Sequence, residues 1–94
     1  MKSKRVTVRI MVRGRVQGVS FRAALQERAA GSGVDGWVRN RSEGSVEALL
    51  QGDEEAVKGV AEWARRGPAR AEVSAVEEEF LGLYPRQSGF RIVA

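Results

Sequence analysis

The apolar residues near the start of the chain change their spacing at one point, the segment GRVQGVSFR of residues 14–22. Before it, apolar side chains occupy every second position of residues 6–12, which predicts a first strand over about residues 5–13. After it, apolar residues recur every three or four positions, which predicts a helix over about residues 21–30 that ends at GSG, residues 31–33. The segment is therefore a junction between a strand and a helix.

The remaining elements follow from the same two periodicities. Alternation returns twice after the first helix, and the residues RSEG between the two runs are typical of a hairpin turn. A second helix then begins with Asp53 as its N-cap and ends where glycine and proline follow a pair of arginines. These patterns predict strands over residues 34–40, 45–51, about 70–80 and 89–93, with a possible bulge near Ala75 and Val76, where the alternation slips.

The order of the predicted elements is strand, helix, strand, strand, helix, strand, with a short closing strand. This order predicts an α+β fold, the ferredoxin-like βαββαβ sandwich, with two helices on one face of a four- to five-stranded antiparallel sheet. We expect residues 1–94 to form a single domain, since this length suits one compact unit.

The composition excludes several kinds of chemistry. The chain has no histidine, no cysteine and only two aspartates, Asp35 and Asp53, so disulfides, thiolate nucleophiles and imidazole bases are absent and a metal site is not expected. We also expect no cofactor. The formal net charge is +4, which favours anionic ligands. With neither a membrane-spanning run nor a signal peptide in the sequence, the predicted location is cytoplasmic.

The junction has the features of an anion-binding site. A right-handed crossover makes the first two strands parallel, so their carboxyl ends, and with them the junction and Asn40, lie at one edge of the sheet. Gly14 and Gly18 allow the backbone to curl its N–H groups into a concavity at a helix N-terminus. Arg22 adds a guanidinium that matches phosphate oxygens, and no acidic residue occurs between Lys2 and Glu27. Taken alone, the glycines could also form a simple turn and Arg22 could lie on a solvated helix face.

Two segments resemble the signature motifs of the acylphosphatase family. GRVQGVSFR matches the pattern G-x-V-Q-G-V-x-[FY]-R, and GWVRNRSEGSVEALLQG at residues 36–52 matches the second, with an aromatic residue after its first glycine and Asn40 after a basic residue. The resemblance covers essentially the whole chain. It implies an enzyme that hydrolyses acyl phosphates, which are mixed carboxylic-phosphoric anhydrides, to a carboxylate and inorganic phosphate without a metal.

The same resemblance implies a role for each candidate residue. Arg22 would hold the phosphoryl group and Asn40 would orient the attacking water; the alternative for Asn40 is a turn residue before RSEG, where asparagine is common. Ser20 falls at a variable position of the motif, and the role of its hydroxyl is open. The backbone amides that would bind the phosphate belong to Arg15, Val16, Gln17, Gly18, Val19 and Ser20.

The chemistry is consistent with so few catalytic side chains. Phosphoryl transfer depends mainly on positioning and on stabilising the charge of the phosphoryl oxygens. A carboxylate leaves without a general acid because its conjugate acid has a pKa of about 4. An alkoxide leaving group would need an acid or a metal. The composition therefore favours an activated anhydride over an ordinary phosphate monoester.

Two other functions are compatible with a basic chain of this fold. One is an RNA-binding module, but such modules stack bases on sheet aromatics, and the first and third predicted strands contain none. We interpret Trp37 and Trp63 as packing residues. The other is a non-catalytic, acylphosphatase-like anion-binding or regulatory domain. We expect a monomer that binds small acyl phosphates and inorganic phosphate, with neither nucleic acid nor membrane as a partner.

Overall fold

The computed structural model describes residues 4–94 of the chain. It contains two helices and five strands, which form one sheet in the order β4-β1-β3-β2-β5. Within the described residues, neither helix has the length and apolar content needed to cross a membrane. The elements are β1 (Arg5–Arg15), α1 (Phe21–Gly31), β2 (Asp35–Asn40), β3 (Val46–Asp53), α2 (Glu54–Ala64), β4 (Glu72–Leu81) and β5 (Phe90–Ile92).

The sheet confirms the predicted ferredoxin-like arrangement and adds one feature. Strands β1 and β2 both pair antiparallel with β3, so they run parallel to each other and end at the same edge. Strand β4 pairs antiparallel with β1. The short β5 pairs parallel with β2, with Val38 opposite Ile92, so the sheet is mixed rather than wholly antiparallel. This pairing carries the C-terminal residues to the edge where β1 and β2 end.

The two faces of the sheet differ as the alternation predicts. Val8, Ile10 and Val12 of β1 point into the core with the apolar sides of both helices. The helices also meet through aromatic packing, with the ring centroids of Phe21 and Trp63 5.6 Å apart. This contact confirms Trp63 as a packing residue and holds the N-terminus of α1 against α2.

The face without helices carries a charged group that we call the Glu47 cluster. It consists of Glu47 and the three arginines whose guanidinium groups donate hydrogen bonds to its carboxylate, Arg9, Arg39 and Arg41. Glu47 is buried although it lies on this outer face, because the arginine side chains cover it. Trp37 is half-buried on the same face, with the Arg39 guanidinium 5.7 Å from its ring centroid.

The β-bulge lies close to its predicted position and explains one of the junction glycines. Arg13 is opposite Ala75 and Gly14 is opposite Val73, so the extra residue is Ser74. Gly14 has a φ of 122°, and a Cβ there would lie 2.2 Å from the carbonyl oxygen of Glu72. Gly14 lies within β1, paired with Val73, and not in the loop that follows, where the anion-binding curl was expected to include it. This glycine is needed where β1 approaches the bulged strand β4.

The start of α2 also differs in detail from its prediction. Asp53 occupies the N-cap position, but its side chain makes no capping hydrogen bond. The backbone N–H of Glu54 instead donates to the carbonyl oxygen of Lys4 at 2.8 Å. The N-terminal residues thus satisfy one of the free donors at the start of this helix.

Candidate active site

The loop of residues 16–20 connects β1 to α1, and we call it the junction loop. Its backbone alternates in handedness, because Gly18 has a φ of 74° and Ser20 a φ of 65°, while Val19 between them is not in the positive region. Ser20 is the single non-glycine residue with a positive φ among residues 4–94. Such alternation turns successive N–H groups toward one side and forms an anion-binding concavity.

The N–H groups of this segment are free to bind a ligand. No backbone carbonyl within residues 4–94 accepts a hydrogen bond from the N–H groups of the junction loop. The first intrahelical bond of α1 runs from Ala24 N to Ser20 O at 3.1 Å, so the preceding N–H groups of the helix have no helical acceptor. Ser20, at the N-cap position, also makes no capping bond through its side chain. The helix dipole adds partial positive charge at this point, which favours an anion.

The junction loop, the start of α1 and the end of β2 enclose one cavity of about 350 Å³. Arg22 and Asn40 both line it, which confirms that the crossover brings the two candidate segments together. The end of β5 contributes an apolar wall through Ile92. The other lining residues are Val16, Gly18, Ser20, Phe21 and Ala23.

Arg22 and Asn40 both present unpaired polar groups to this cavity. Arg22 is half-buried, and its guanidinium forms no ion pair with any carboxylate in the described part of the chain. Asn40 Oδ1 is buried and accepts no hydrogen bond from the described residues. Leaving a buried hydrogen-bond acceptor without a partner costs about 1–3 kcal/mol of stability. A bound molecule that donates a hydrogen bond to Asn40 Oδ1 would remove this cost.

The six residues of the predicted phosphate loop have different positions. Val16, Gly18 and Ser20 line the cavity, whereas the Val19 side chain is buried in the core. Arg15 is the last residue of β1, opposite Glu72, and its guanidinium lies 3.4 Å from the Glu72 carboxylate. The Arg15 side chain is therefore directed to the edge strand rather than to the cavity.

Sequence reasoning missed two contributions to this site. The Gln17 side chain crosses to the β2–β3 hairpin, where its Nε2 donates to Arg41 O at 2.8 Å and to Ser45 O at 2.9 Å. Ile92 reaches the cavity through the parallel pairing of β5, which a three-residue strand does not reveal in sequence. The glutamine in the junction motif was the available signal, but its acceptors depend on the folded hairpin.

Comparisons with known proteins agree with this geometry. The family model described as Acylphosphatase matches residues 8–92. An acylphosphatase of Albidiferax ferrireducens is 47% identical, in a match covering 88% of this chain and 96% of that relative. The crystal structure of the Bacillus subtilis acylphosphatase superposes with a TM-score of 0.92 and 35% identity, covering 95% of this chain and 99% of that one.

The same fold also occurs inside a much larger protein. The full-length HypF structure, in a phosphate- and nucleotide-bound form, matches all of this chain with a TM-score of 0.89. The match covers only 12% of that protein at 20% identity, so it shows a shared fold alone. The match of the family model over most of the chain, together with relatives of similar length, shows that the chain belongs to the acylphosphatase family.

Proposed function

We propose that this acylphosphatase hydrolyses acyl phosphates by direct attack of water, without a metal ion, in the cavity between the junction loop and Asn40. The observation that carries the proposal is the unpaired, buried Oδ1 of Asn40 in the same cavity as the free guanidinium of Arg22. An acceptor for water and a donor set for phosphate thus lie together. In-line hydrolysis needs that combination.

The junction loop and Arg22 bind the phosphoryl group in this proposal. The free N–H groups of residues 16–23 and the guanidinium donate to the phosphoryl oxygens, whose negative charge the helix dipole also favours. Because these donors are held in place before the substrate binds, they stabilise the transition state without reorganising. The junction loop and Arg22 therefore supply the electrostatic stabilisation of the transition state.

Asn40 orients the nucleophile. Its Oδ1 accepts a hydrogen bond from a water molecule, and this directs a lone pair of the water oxygen toward phosphorus. A new O–P bond forms as the bond between phosphorus and the acyl oxygen breaks, and the carboxylate leaves with the electron pair. The water proton passes to a phosphoryl oxygen, so the products are a carboxylate and inorganic phosphate.

The remaining side chains are consistent with this leaving group. The cavity has no carboxylic acid, imidazole or thiol among its lining residues that could protonate an alkoxide. A carboxylate needs no such proton because it is already stable as an anion near neutral pH. The site is therefore suited to anhydrides and unsuited to alkyl phosphate esters.

A hydrolysis assay tests the proposal directly. We expect the purified protein to hydrolyse benzoyl phosphate equally well with and without a metal chelator, and we expect inorganic phosphate to inhibit competitively. An alkyl phosphate such as glycerol phosphate should not be hydrolysed. Loss of benzoyl phosphate hydrolysis in chelator would contradict the metal-independent mechanism, and inactivity toward acyl phosphates in general would contradict the proposed function.

The broader expectations belong to the same proposal. The chain acts as a single acylphosphatase-like domain, monomeric and cytoplasmic, with small phosphates rather than nucleic acid as partners. The outer face supports the last point, because there Arg9 and Arg39 are paired with the Glu47 carboxylate and are less available to a phosphate backbone. Filter binding to RNA tests the class of partner, and light scattering of the purified chain tests the monomeric state.

A further inference from the structure

The side chain of Gln17 in the junction loop does not line the cavity but contacts the turn between β2 and β3. The Nε2 group of Gln17 donates to the carbonyl oxygens of Arg41, at 2.8 Å, and Ser45, at 2.9 Å. These two residues begin and end the turn between β2 and β3, and a hydrogen bond from Arg41 N to Ser45 O at 2.9 Å closes that turn. Gln17 therefore spans the gap between the two segments that form the site.

The position of these acceptors relates Gln17 to Asn40. Arg41 directly follows Asn40, so a bond to the Arg41 carbonyl restrains the backbone beside the candidate water-binding residue. Gln17 directly precedes Gly18, whose positive φ shapes the curl of N–H groups. One amide group thus connects the phosphate-binding backbone to the residue that would orient water.

Within the described residues, the other residues of the junction loop make no hydrogen bond to the turn between β2 and β3. Its N–H groups make no hydrogen bond to backbone carbonyls of the described residues, and its glycine gives it conformational freedom. The buried side chains of Val16 and Val19 anchor the loop to the core, but they do not contact the turn through polar groups. Gln17 alone donates hydrogen bonds from this loop to the turn within residues 4–94.

We propose that Gln17 is a positioning residue, whose side-chain amide sets the distance between the phosphate-binding N–H groups and Asn40. This role rests on the proposed function, because Gln17 acts through Asn40 and does not touch the reacting atoms. Displacement of a reacting group by about 1 Å can lower a rate by about 100-fold. Loss of the connection should therefore slow the attack of water more than it weakens phosphate binding.

The test compares two glutamines with similar hydrogen bonds. Gln17→Met keeps the length of the side chain but removes both donors. Gln26→Met is the matched control, because Gln26 Nε2 also donates to a backbone carbonyl, that of Phe90 at 3.1 Å, but it connects α1 to β5. We expect Gln17→Met to lower kcat by about 10- to 100-fold and to change the phosphate inhibition constant by less than about threefold. Gln26→Met should change both values by less than about threefold.

A second variant separates positioning from folding. Gln17→Glu keeps the shape, but its carboxylate repels the two carbonyl oxygens, whereas the protonated acid can donate one hydrogen bond. Because this repulsion disfavours the charged form, the carboxyl should take up its proton at a pH above its ordinary pKa of about 4–5. The kcat relative to the original protein should therefore rise as the pH is lowered toward that range. Thermal unfolding of every variant gives the fraction that is folded, and kcat is expressed per folded molecule.

Several results would overturn the assignment. Unchanged kcat in folded Gln17→Met would do so, and so would a phosphate inhibition constant that rises in proportion to the fall in kcat. Equal losses in the Gln26→Met control, or a constant ratio of Gln17→Glu to the original protein across pH, would also contradict it. These outcomes differ from failure of the proposed function, in which the original protein is inactive or Asn40→Ala is fully active.

Discussion

The molecule contains two sites whose arginines differ in whether a carboxylate is paired with them. In the Glu47 cluster, Arg9 Nε, Arg39 Nε and Arg41 Nη1 lie 2.6, 2.8 and 3.0 Å from oxygens of one carboxylate, whose side chain is 5% exposed. In the cavity proposed to bind phosphate, Arg22 has no carboxylate partner within the described residues. Both sites are only partly open to water, so burial does not explain the difference.

The contrast separates polar groups that are paired within the protein from polar groups that are left without a partner in the described residues. Burial acts to raise the pKa of Glu47, but hydrogen bonds from the three arginines outweigh it and lower that pKa to about 2. Glu79 beside Arg9 and Glu43 beside Arg41 supply two further carboxylates, so the positive charges of the cluster are balanced without a ligand. The cavity instead leaves a guanidinium, several N–H groups and Asn40 Oδ1 unpaired, and this arrangement becomes favourable when a phosphoryl group and water fill it.

Removal of a guanidinium should lower activity but not stability at the cavity, and stability but not activity at the Glu47 cluster. Arg22→Ala should lower kcat/KM by about 1000-fold or more and abolish competitive inhibition by phosphate, because two charge-assisted donors are lost. Its free energy of unfolding should change by less than about 0.5 kcal/mol, since no partner is left unpaired. Steady-state kinetics and urea unfolding measure both quantities.

Arg39→Ala is the control for this comparison, because Arg39 is also partly buried but donates to Glu47. It should lower stability while keeping kcat/KM within about threefold of the original. If both alanine variants lost activity equally, the distinction between the two sites would be wrong.

A substitution of Asn40 tests water orientation separately from phosphate binding, the two roles proposed for the cavity. Asn40→Ala should lower kcat by about 100-fold, because water is no longer oriented, and leave the phosphate inhibition constant within about threefold. The protein should not become less stable, since Oδ1 makes no hydrogen bond that the substitution could remove. Full activity in this variant, measured with saturating benzoyl phosphate, would exclude Asn40 from the mechanism.

The sequence was informative where a local pattern and a general rule act together. Alternation and helical spacing predicted every helix and strand of the described chain to within a few residues. The handedness of the crossover then placed Arg22 and Asn40 at one edge, although 17 residues separate them in sequence. The two residues could be assigned to one site because they follow β1 and β2, whose ends such a crossover aligns.

Features that depend on contacts between distant strands were not predictable in this way. The need for a glycine at residue 14 arises from its approach to Glu72, and the burial of Glu47 arises from arginines on β1 and β2. Alternation alone would place a glutamate such as Glu47 at a solvent-facing position. Its low exposure depends on how three long side chains fold over it, and a single strand does not contain that information.

The stability of the Glu47 cluster should depend on its one carboxylate. Glu47→Gln should lower the free energy of unfolding by about 2 kcal/mol, because three partly exposed arginines lose their shared counter-charge. The kcat per folded molecule should stay within about threefold of the original, since neither Glu47 nor its three arginines line the cavity that holds Arg22 and Asn40. Urea unfolding near neutral pH measures the first quantity.

The pH dependence of this loss identifies its origin. The folded-state pKa of Glu47 is about 2, well below the ordinary value of 4.5, so its stabilisation is fully present above the ordinary pKa. It should be lost as the pH falls through the folded-state value. The difference in stability between the original protein and Glu47→Gln should therefore shrink from about pH 5 to about pH 2. A constant difference would assign the loss to packing instead.

The smallest expected change in stability is at an ion pair that is exposed to water and lies outside both sites. Arg13 of β1 and Glu77 of β4 are diagonal neighbours across the two strands, with Nη2 and Oε1 3.4 Å apart and side chains 44% and 64% exposed. Arg13→Ala should change the free energy of unfolding by less than about 0.5 kcal/mol, because water already solvates both charges, and it should leave kcat/KM unchanged. The effect should become still smaller at about 1 M salt, where the Debye length is about 3 Å. A loss as large as that of Glu47→Gln would mean that the number of ion pairs, rather than the burial of a shared carboxylate, decides what an arginine contributes on this face of the sheet.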